Sequence, residues 1–278
     1  MEERTDELSG RPVWVTGSRQ GRPNLPEEGC PFCPGGLEAP TDYDVRWFPN
    51  RWPAMPDDRC EVVLYTPRHD ASFASLGIEG ATRVIDLWAE RTADLGQRDD
   101  IAYVLIFENR GPEVGATISH PHGQIYSFDK IPPAPLYELQ HGTPPVPEDD
   151  ELIVSEMGGW SSWVPRAAWW PYELLLAPMA PVADLLSPSL DRPGMAAVLV
   201  DALGRLDRLF DAPMPYMLWV HQRPTDGRPW RHAHLHVHIA PYFRMPHTPR
   251  FVAAGELGSG EYFNPVLPEA AAEELRAL

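Results

Sequence analysis

Positive charge is scarce in this chain of 278 residues: 23 Lys and Arg face 40 Asp and Glu, a formal charge of −17. Nucleic-acid affinity rests on Lys and Arg neutralising phosphates, and anionic lipid surfaces attract the same side chains, so both partner classes are disfavoured. Long uncharged apolar runs are missing, and residues 1–7 are acidic, without the apolar stretch of a secretory leader. No membrane association and a cytoplasmic location are expected. Cysteine is nearly absent, with three residues. That argues against a disulfide framework and leaves Cys30 and Cys33, in CPFC, for metal ligation, redox chemistry or a plain structural pair. Cys60 reads as a small core residue. What the chain does have is 43% hydrophobic against 23% charged residues, ordinary for a globular protein, and 33 prolines, which foretell sharp turns.

Hydrophobic patterning predicts strands at 13–16, 61–66 (EVVLYT), 103–109 (YVLIFEN) and 123–129. A helix over 81–97 places Val84, Leu87, Trp88 and Leu95 on one face. Further on, 172–177 (YELLLA), 216–222 and 234–240 read as strands, and a helix over 195–211 carries the stripe Leu199, Leu203, Leu206 and Phe210. Strand, helix, strand, loop and His-rich strand thus occur twice. The repetition argues for a duplicated α+β unit with a mainly antiparallel sheet flanked by helices. Residues 131–150 (IPPAPLYELQHGTPPVPEDD) read as an extended connector, dividing the chain into halves at 1–140 and 151–278.

The chemistry concentrates in FENRGPEVGATISHPHGQIY, where a hydrophobic strand runs through a Gly-containing loop into HPHGQ. Side chains two apart on a strand share a face, so His120, His122 and Gln124 converge. Gly123, lacking a Cβ, is expected to let a phosphate approach the backbone, and the loop with Gly111 and Gly115 to offer it amide groups. A neutral imidazole is a nucleophile at pH 7, and attack on phosphorus splits one displacement into two. An isolated HxH pair reads as readily as two structural histidines; the neighbours favour chemistry.

This stretch closely resembles the active-site signature of the galactose-1-phosphate uridylyltransferases, the transferase branch of the histidine-triad superfamily. The resemblance implies two fused histidine-triad-like units and a homodimer. It implies that His122 takes a nucleoside monophosphate from a nucleotide sugar, releasing hexose 1-phosphate, and passes it to an incoming sugar phosphate in a ping-pong cycle. Gln124 becomes the donor to phosphoryl oxygens; triad hydrolases carry histidine there, so glutamine favours transfer. Asn109, Ala116 and Thr117 match positions holding ribose and phosphates, and Arg19 and Arg22, in GSRQGRP, match paired phosphate-contacting arginines. Asn50, Arg51 and Trp52 fall on the nucleoside-binding segment, with Trp52 supplying an aromatic face for a base. Arg250, Phe251 and Glu256 match a sugar-phosphate loop that relatives lend to the neighbouring subunit.

The resemblance also completes two metal sites. Cys30, Cys33, His69 and His120 become a zinc site bracing the strand that carries His122. His232, His234, His236 and His238 alternate, so a strand is expected to align all four on one face; of these the resemblance takes His236 and His238, with His221 and Glu138, as a second site for zinc or iron. Two departures bear on substrate. Arg51 replaces an aspartate that holds ribose hydroxyls in uridylyltransferases, reversing the local charge, and Gly255 replaces a tyrosine of galactose-specific members. The same chemistry on ADP-sugars, as in ADP-sugar phosphorylases, or in specialised metabolism is therefore weighed beside the uridylyl reading. A metal-scaffolded nucleotide-binding module is the non-enzymatic alternative, and retention of both His122 and Gln124 argues against it.

Overall fold

Runs with alternating burial form the strands, and the two long apolar stripes form the two long helices. The computed structural model describes residues 1–21, 29–142, 146–147 and 149–278. β1 (Glu2–Thr5) and β2 (Pro12–Val15) make a separate hairpin. β3 (Arg46–Pro49), β4 (Cys60–Leu64), α1 (Gly77–Gly96), β5 (Tyr103–Arg110) and β6 (His122–Phe128) follow. After α2 (Pro133–His141) come β7 (Ile153–Met157), β8 (Trp160–Trp163), β9 (Leu174–Pro178), α3 (Arg192–Leu209), β10 (Tyr216–His221) and β11 (His236–Pro241). A short hairpin, β12 (Phe243–Met245) with β13 (Thr248–Pro249), and helices α4 (Ala254–Ser259) and α5 (Pro268–Arg276) close the chain.

Among the described residues, nine strands join in one antiparallel sheet, ordered β3-β4-β6-β5-β10-β11-β9-β8-β7. Reading outward from the β5–β10 seam, β6 mirrors β11, β4 mirrors β9 and β3 mirrors β8, so the repeated unit is built twice and fused edge to edge. One register row crosses the seam: Val62, Gln124, Phe107, Trp219, His238 and Leu175 are successive partners. Directly opposed residues of an antiparallel sheet share a face, so Gln124 and His238, matched by the sequence repeat, project from the same side.

The alternate positions, among them Val63, Ile106, Ile125, Leu218, Val220, Val237 and Leu176, point the other way into one core with α1 and α3. That face is dry. Over the opposite face, Phe32 and Ala39 pack on Val62 and Leu64, while Ile131 and Leu139 pack on Tyr103. These two covers leave the polar residues of β6, β10 and β11 between them.

The connector differs from expectation. It contains α2 rather than extended chain throughout, because Pro133 and Pro135 fall in the first turn, where a helix has no intrahelical use for their missing N–H groups. The helix carries Glu138 over the sheet. The His-rich run also differs: the strand begins at His236, and an exposed His232 and a His234 bonded to the Pro178 carbonyl lie before it.

Candidate active site

His122 opens β6, immediately after Pro121. Its Nδ1 lies 2.7 Å from the His120 carbonyl oxygen, an acceptor, so Nδ1 carries the proton and the ring lone pair is on Nε2. Phe32 packs edge-on against the ring, with centroids 5.1 Å apart. The carbonyl and Phe32 together fix the imidazole's tautomer and plane.

Gly123 serves a different purpose from the one its sequence suggests. A Cβ there would lie 2.1 Å from Tyr65 Oη on the helix-covered side, away from His122 and Gln124. The glycine makes room for a buried tyrosine, not for a phosphate. The preceding loop also differs from expectation: the amides of Val114 and Ala116 donate to the Gly111 carbonyl and that of Gly115 to the Pro112 carbonyl. Those N–H groups close a turn instead of facing an anion, and the loop's polar contribution to the cleft is Thr117.

Two clefts meet at His122. The larger, about 670 Å³, lies under the Cys30–Glu38 segment and is lined by Phe32, Phe48, Asn50, Arg51, Trp52 and Thr117 among others. The smaller, about 280 Å³, is lined by Arg19, Asn109, Ala116, Thr117 and Tyr126, and both clefts share His122 and Gln124. Arg19 reaches it from the 3₁₀ turn after β2. Arg22 lies outside the described residues.

Three features of the larger cleft bear on its ligand. Asn50 Nδ2 donates to Gln124 Oε1 at 3.2 Å, and the Trp52 amide donates to Asn50 Oδ1 at 2.9 Å. Trp52 is 37% exposed and presents its ring to the cleft. Arg51 does not reverse the charge as the sequence implied, because Glu38 pairs with it, Oε1 to Nε at 3.0 Å. Glu38 lay in a loop with no motif spacing to mark it, and only the fold brings it to Arg51.

The first metal cluster assembles as the resemblance implied: the ligand atoms of Cys30, Cys33, His69 and His120 all lie within 4.8 Å of one another. Cys33 Sγ is 3.5 Å from His69 Nδ1 and 3.6 Å from His120 Nδ1, and Cys30 Sγ is 3.8 Å from His120 Nδ1. The edges of a zinc tetrahedron built from two sulfur and two nitrogen bonds are about 3.3–3.8 Å, so the donors fit a zinc-sized ion. His120 is fully buried, and its Nε2 donates to the Thr66 carbonyl at 2.7 Å, which turns Nδ1 toward the thiols. Burial lowers the basicity of His120 against that hydrogen bond, keeping the ring neutral as a ligand must be. Burial and the neighbouring Cys30 raise the Cys33 thiol, so a cation is needed to hold the thiolates. Tyr43, which no motif marks, ties the site together, its hydroxyl lying 2.7 Å from the Phe32 carbonyl and 2.9 Å from His120 Nε2.

The second cluster is Glu138, His221, His236 and His238. Glu138 Oε2 is 2.6 Å from His221 Nδ1 and 3.3 Å from His236 Nε2, and Oε1 is 3.6 Å from His238 Nε2. His238 Nε2 is buried with no hydrogen-bond partner among the described residues. A buried nitrogen aimed at a carboxylate and two imidazoles fits a divalent metal. Burial keeps His221 and His238 neutral; it also opposes ionisation of Glu138, but the hydrogen bond from His221 Nδ1 and the imidazoles around it outweigh burial and hold the carboxyl well below its usual range.

Arg250 and Glu256 are committed to each other. Both are buried, they are ion-paired, and the guanidinium sits 5.0 Å from the Trp170 ring centroid. Phe251 between them is 70% exposed.

The profile of the galactose-1-phosphate uridyl transferase N-terminal domain matches residues 50–132, and that of the C-terminal domain matches residues 141–278. A galactose-1-phosphate uridylyltransferase of Thermotoga maritima is 34% identical, over 99% of this chain and 98% of the relative. One of Streptomyces lividans is 35% identical, over 99% of this chain and 86% of the relative. A solved uridylyltransferase structure superposes with a TM-score of 0.88 at 28% identity, covering 100% of this chain and 98% of that one. With the His-bearing strand, the Cys/His and Glu/His clusters and the doubled sheet in place, the chain belongs to the galactose-1-phosphate uridylyltransferase family and is an enzyme of its nucleotidyltransferase type.

Proposed function

We propose that the protein transfers a uridylyl group between a UDP-sugar and a hexose 1-phosphate through a covalent nucleotidyl-His122 intermediate. The observation that carries this reading is the Nδ1 bond of His122 to the His120 carbonyl, which leaves Nε2 as the nucleophilic atom where two clefts meet. In the first half-reaction Nε2 attacks the α-phosphorus, the P–N bond forms and the phosphoanhydride P–O bond breaks, releasing hexose 1-phosphate. Positive charge that develops on the ring is stabilised through Nδ1–H by the carbonyl oxygen. In the second, an oxygen of the incoming sugar phosphate attacks the same phosphorus, the P–N bond breaks, and the neutral ring returns.

The larger cleft takes the nucleoside, with Trp52 on the base and the Arg51–Glu38 pair near the ribose. The smaller takes the phosphates of either partner, supported by Arg19, Asn109 and Thr117, with Ala116 forming part of its wall. The Gln124 amide donates to non-bridging oxygens. Arg250, Phe251 and Glu256 form the sugar-phosphate loop for the neighbouring subunit of a homodimer, the buried ion pair shaping the loop and Phe251 reaching outward. Residues 1–140 and 151–278 are the two histidine-triad-like halves, and the enzyme works in the cytoplasm. Cys30, Cys33, His69 and His120 would hold zinc, which would cross-link the Cys30–Glu38 segment to the strand of His122. The second cluster holds zinc or iron.

Intact-mass measurement after incubation with UDP-glucose, UDP-galactose and ADP-glucose separately tests this reading. A uridylyl adduct, lost in His122→Ala, is expected. An adenylyl adduct instead would assign ADP-sugar chemistry to the same site, and no adduct with any of the three would overturn the covalent mechanism.

A further inference from the structure

Gln124 is symmetric in shape but not in chemistry: one end of its carboxamide accepts and the other donates. A phosphoryl oxygen can be stabilised only by the NH₂ end. Some other group must therefore decide which way the amide faces, and a chain of hydrogen bonds leads back from Gln124 to the backbone.

Asn50 follows β3 directly, and its amide is pinned to β4 by donation to the Cys60 carbonyl at 2.8 Å. Its Oδ1 accepts the Trp52 amide at 2.9 Å. A backbone N–H can only donate, so the oxygen end of Asn50 is fixed there and Nδ2 must point away. Nδ2 meets Gln124 Oε1 at 3.2 Å. The oxygen end of Gln124 is thereby fixed in turn, which leaves its NH₂ group as the end it can offer to the clefts it lines with His122. Turning either amide over would set donor against donor.

We infer that Asn50 is a positioning residue that acts through Gln124, relaying the polarity of the Trp52 amide to the phosphoryl site and holding the Gln124 NH₂ toward the reacting phosphate. The inference rests on the donor role of Gln124 proposed above. It separates Asn50 from its neighbours Arg51 and Trp52, which face the nucleoside.

The test is a double-mutant cycle on the full-length metal-loaded protein, read as the rate constant of His122 nucleotidylation and, separately, the affinity for the nucleotide sugar. Asn50→Ala is expected to slow nucleotidylation about 10- to 100-fold, in the range of losing one oriented donor, with affinity changed less than about threefold. In a Gln124→Ala background the same substitution is expected to cost less than about threefold, because the group it orients is gone. Asn50→Asp keeps the acceptor for the Trp52 amide but cannot donate once ionised, so it guards against simple misfolding and is expected to be as slow as Asn50→Ala. Equal losses from Asn50→Ala in both backgrounds, or weaker affinity at an unchanged rate, overturn the relay in favour of direct contact with the nucleotide. If Gln124→Ala leaves the rate unchanged, the donor role itself fails; if Gln124→Ala is slow and Asn50→Ala is not, the relay alone fails.

Discussion

His122 and His236 are held by the same bond: each donates Nδ1–H to the carbonyl of the residue two before it, at 2.7 Å, from His120 and His234 respectively. The duplicated strand therefore aims an identical tautomer outward in both halves. What lies in front of Nε2 differs. Before His122 are two clefts; before His236 is Glu138, 3.3 Å away, carried in by α2. One imidazole faces two clefts and the other a carboxylate, by the same backbone geometry.

If each cluster holds one metal, the two can be removed independently. Cys33→Ala is expected to lose one equivalent and Glu138→Gln the other, read by elemental analysis of the purified variants. Loss of the first metal is expected to slow nucleotidylation about 10- to 100-fold, since His120 is two residues from His122 and its partners aim the strand. One variant losing both metals would show the sites to be coupled through folding instead.

Gly123 gives a test of packing against chemistry. Gly123→Ala forces a methyl group into Tyr65 Oη and is expected to destabilise by about 1–3 kcal/mol. Tyr65→Phe removes that oxygen, so adding it to Gly123→Ala is expected to recover part of the loss, measured by urea denaturation. A glycine needed for phosphate approach would show no such rescue.

Legibility from sequence followed the range of the interactions. The apolar stripes of α1 and α3 and the strand runs mark themselves, because burial on one face imposes a period. HPHGQ and CPFC mark themselves because ligands and nucleophiles crowd into a few positions. Glu38 and Tyr43 were illegible: each acts through a partner brought in by tertiary structure, Arg51 and His120, with no local spacing to betray it. The Pro-rich connector misled for a different reason. Proline breaks a helix interior, yet at Pro133 and Pro135 it starts one.

Glu108 makes stability depend on pH. Its carboxyl is fully buried under the sheet, and burial pushes it up to about 7 against the Tyr216 hydroxyl at 2.8 Å and nearby Arg110. In the unfolded chain it titrates at its ordinary value, so between the two values the native state binds more protons than the unfolded one. The contribution is fully present below the unfolded value and is lost as pH rises through 7. The raised value amounts to about 3 kcal/mol across that window. Glu108→Gln is expected to flatten the fall in melting temperature between pH 5 and pH 8 without creating a new one, as thermal scans across that range would show. Parallel curves for the two proteins would place the pH dependence elsewhere.

The Arg51–Glu38 pair lines the larger cleft, which the proposed reading gives to the nucleotide sugar. Arg51 is about half exposed, so the pair adds little to folding, within about 1 kcal/mol. Its effect is electrostatic: while paired, Glu38 does not oppose the phosphates of an arriving nucleotide sugar. Arg51→Ala leaves a bare carboxylate in the cleft and is expected to raise KM several-fold, about 3- to 10-fold, with kcat nearly unchanged. The rise is expected to shrink at high ionic strength, because half-exposed charges are screened. Adding Glu38→Gln removes the repulsion at its source and is expected to bring KM back toward the parent value. Should the double variant bind no better than Arg51→Ala alone, Arg51 contacts the nucleotide itself, and the two residues are partners in recognition rather than a charge and its neutraliser.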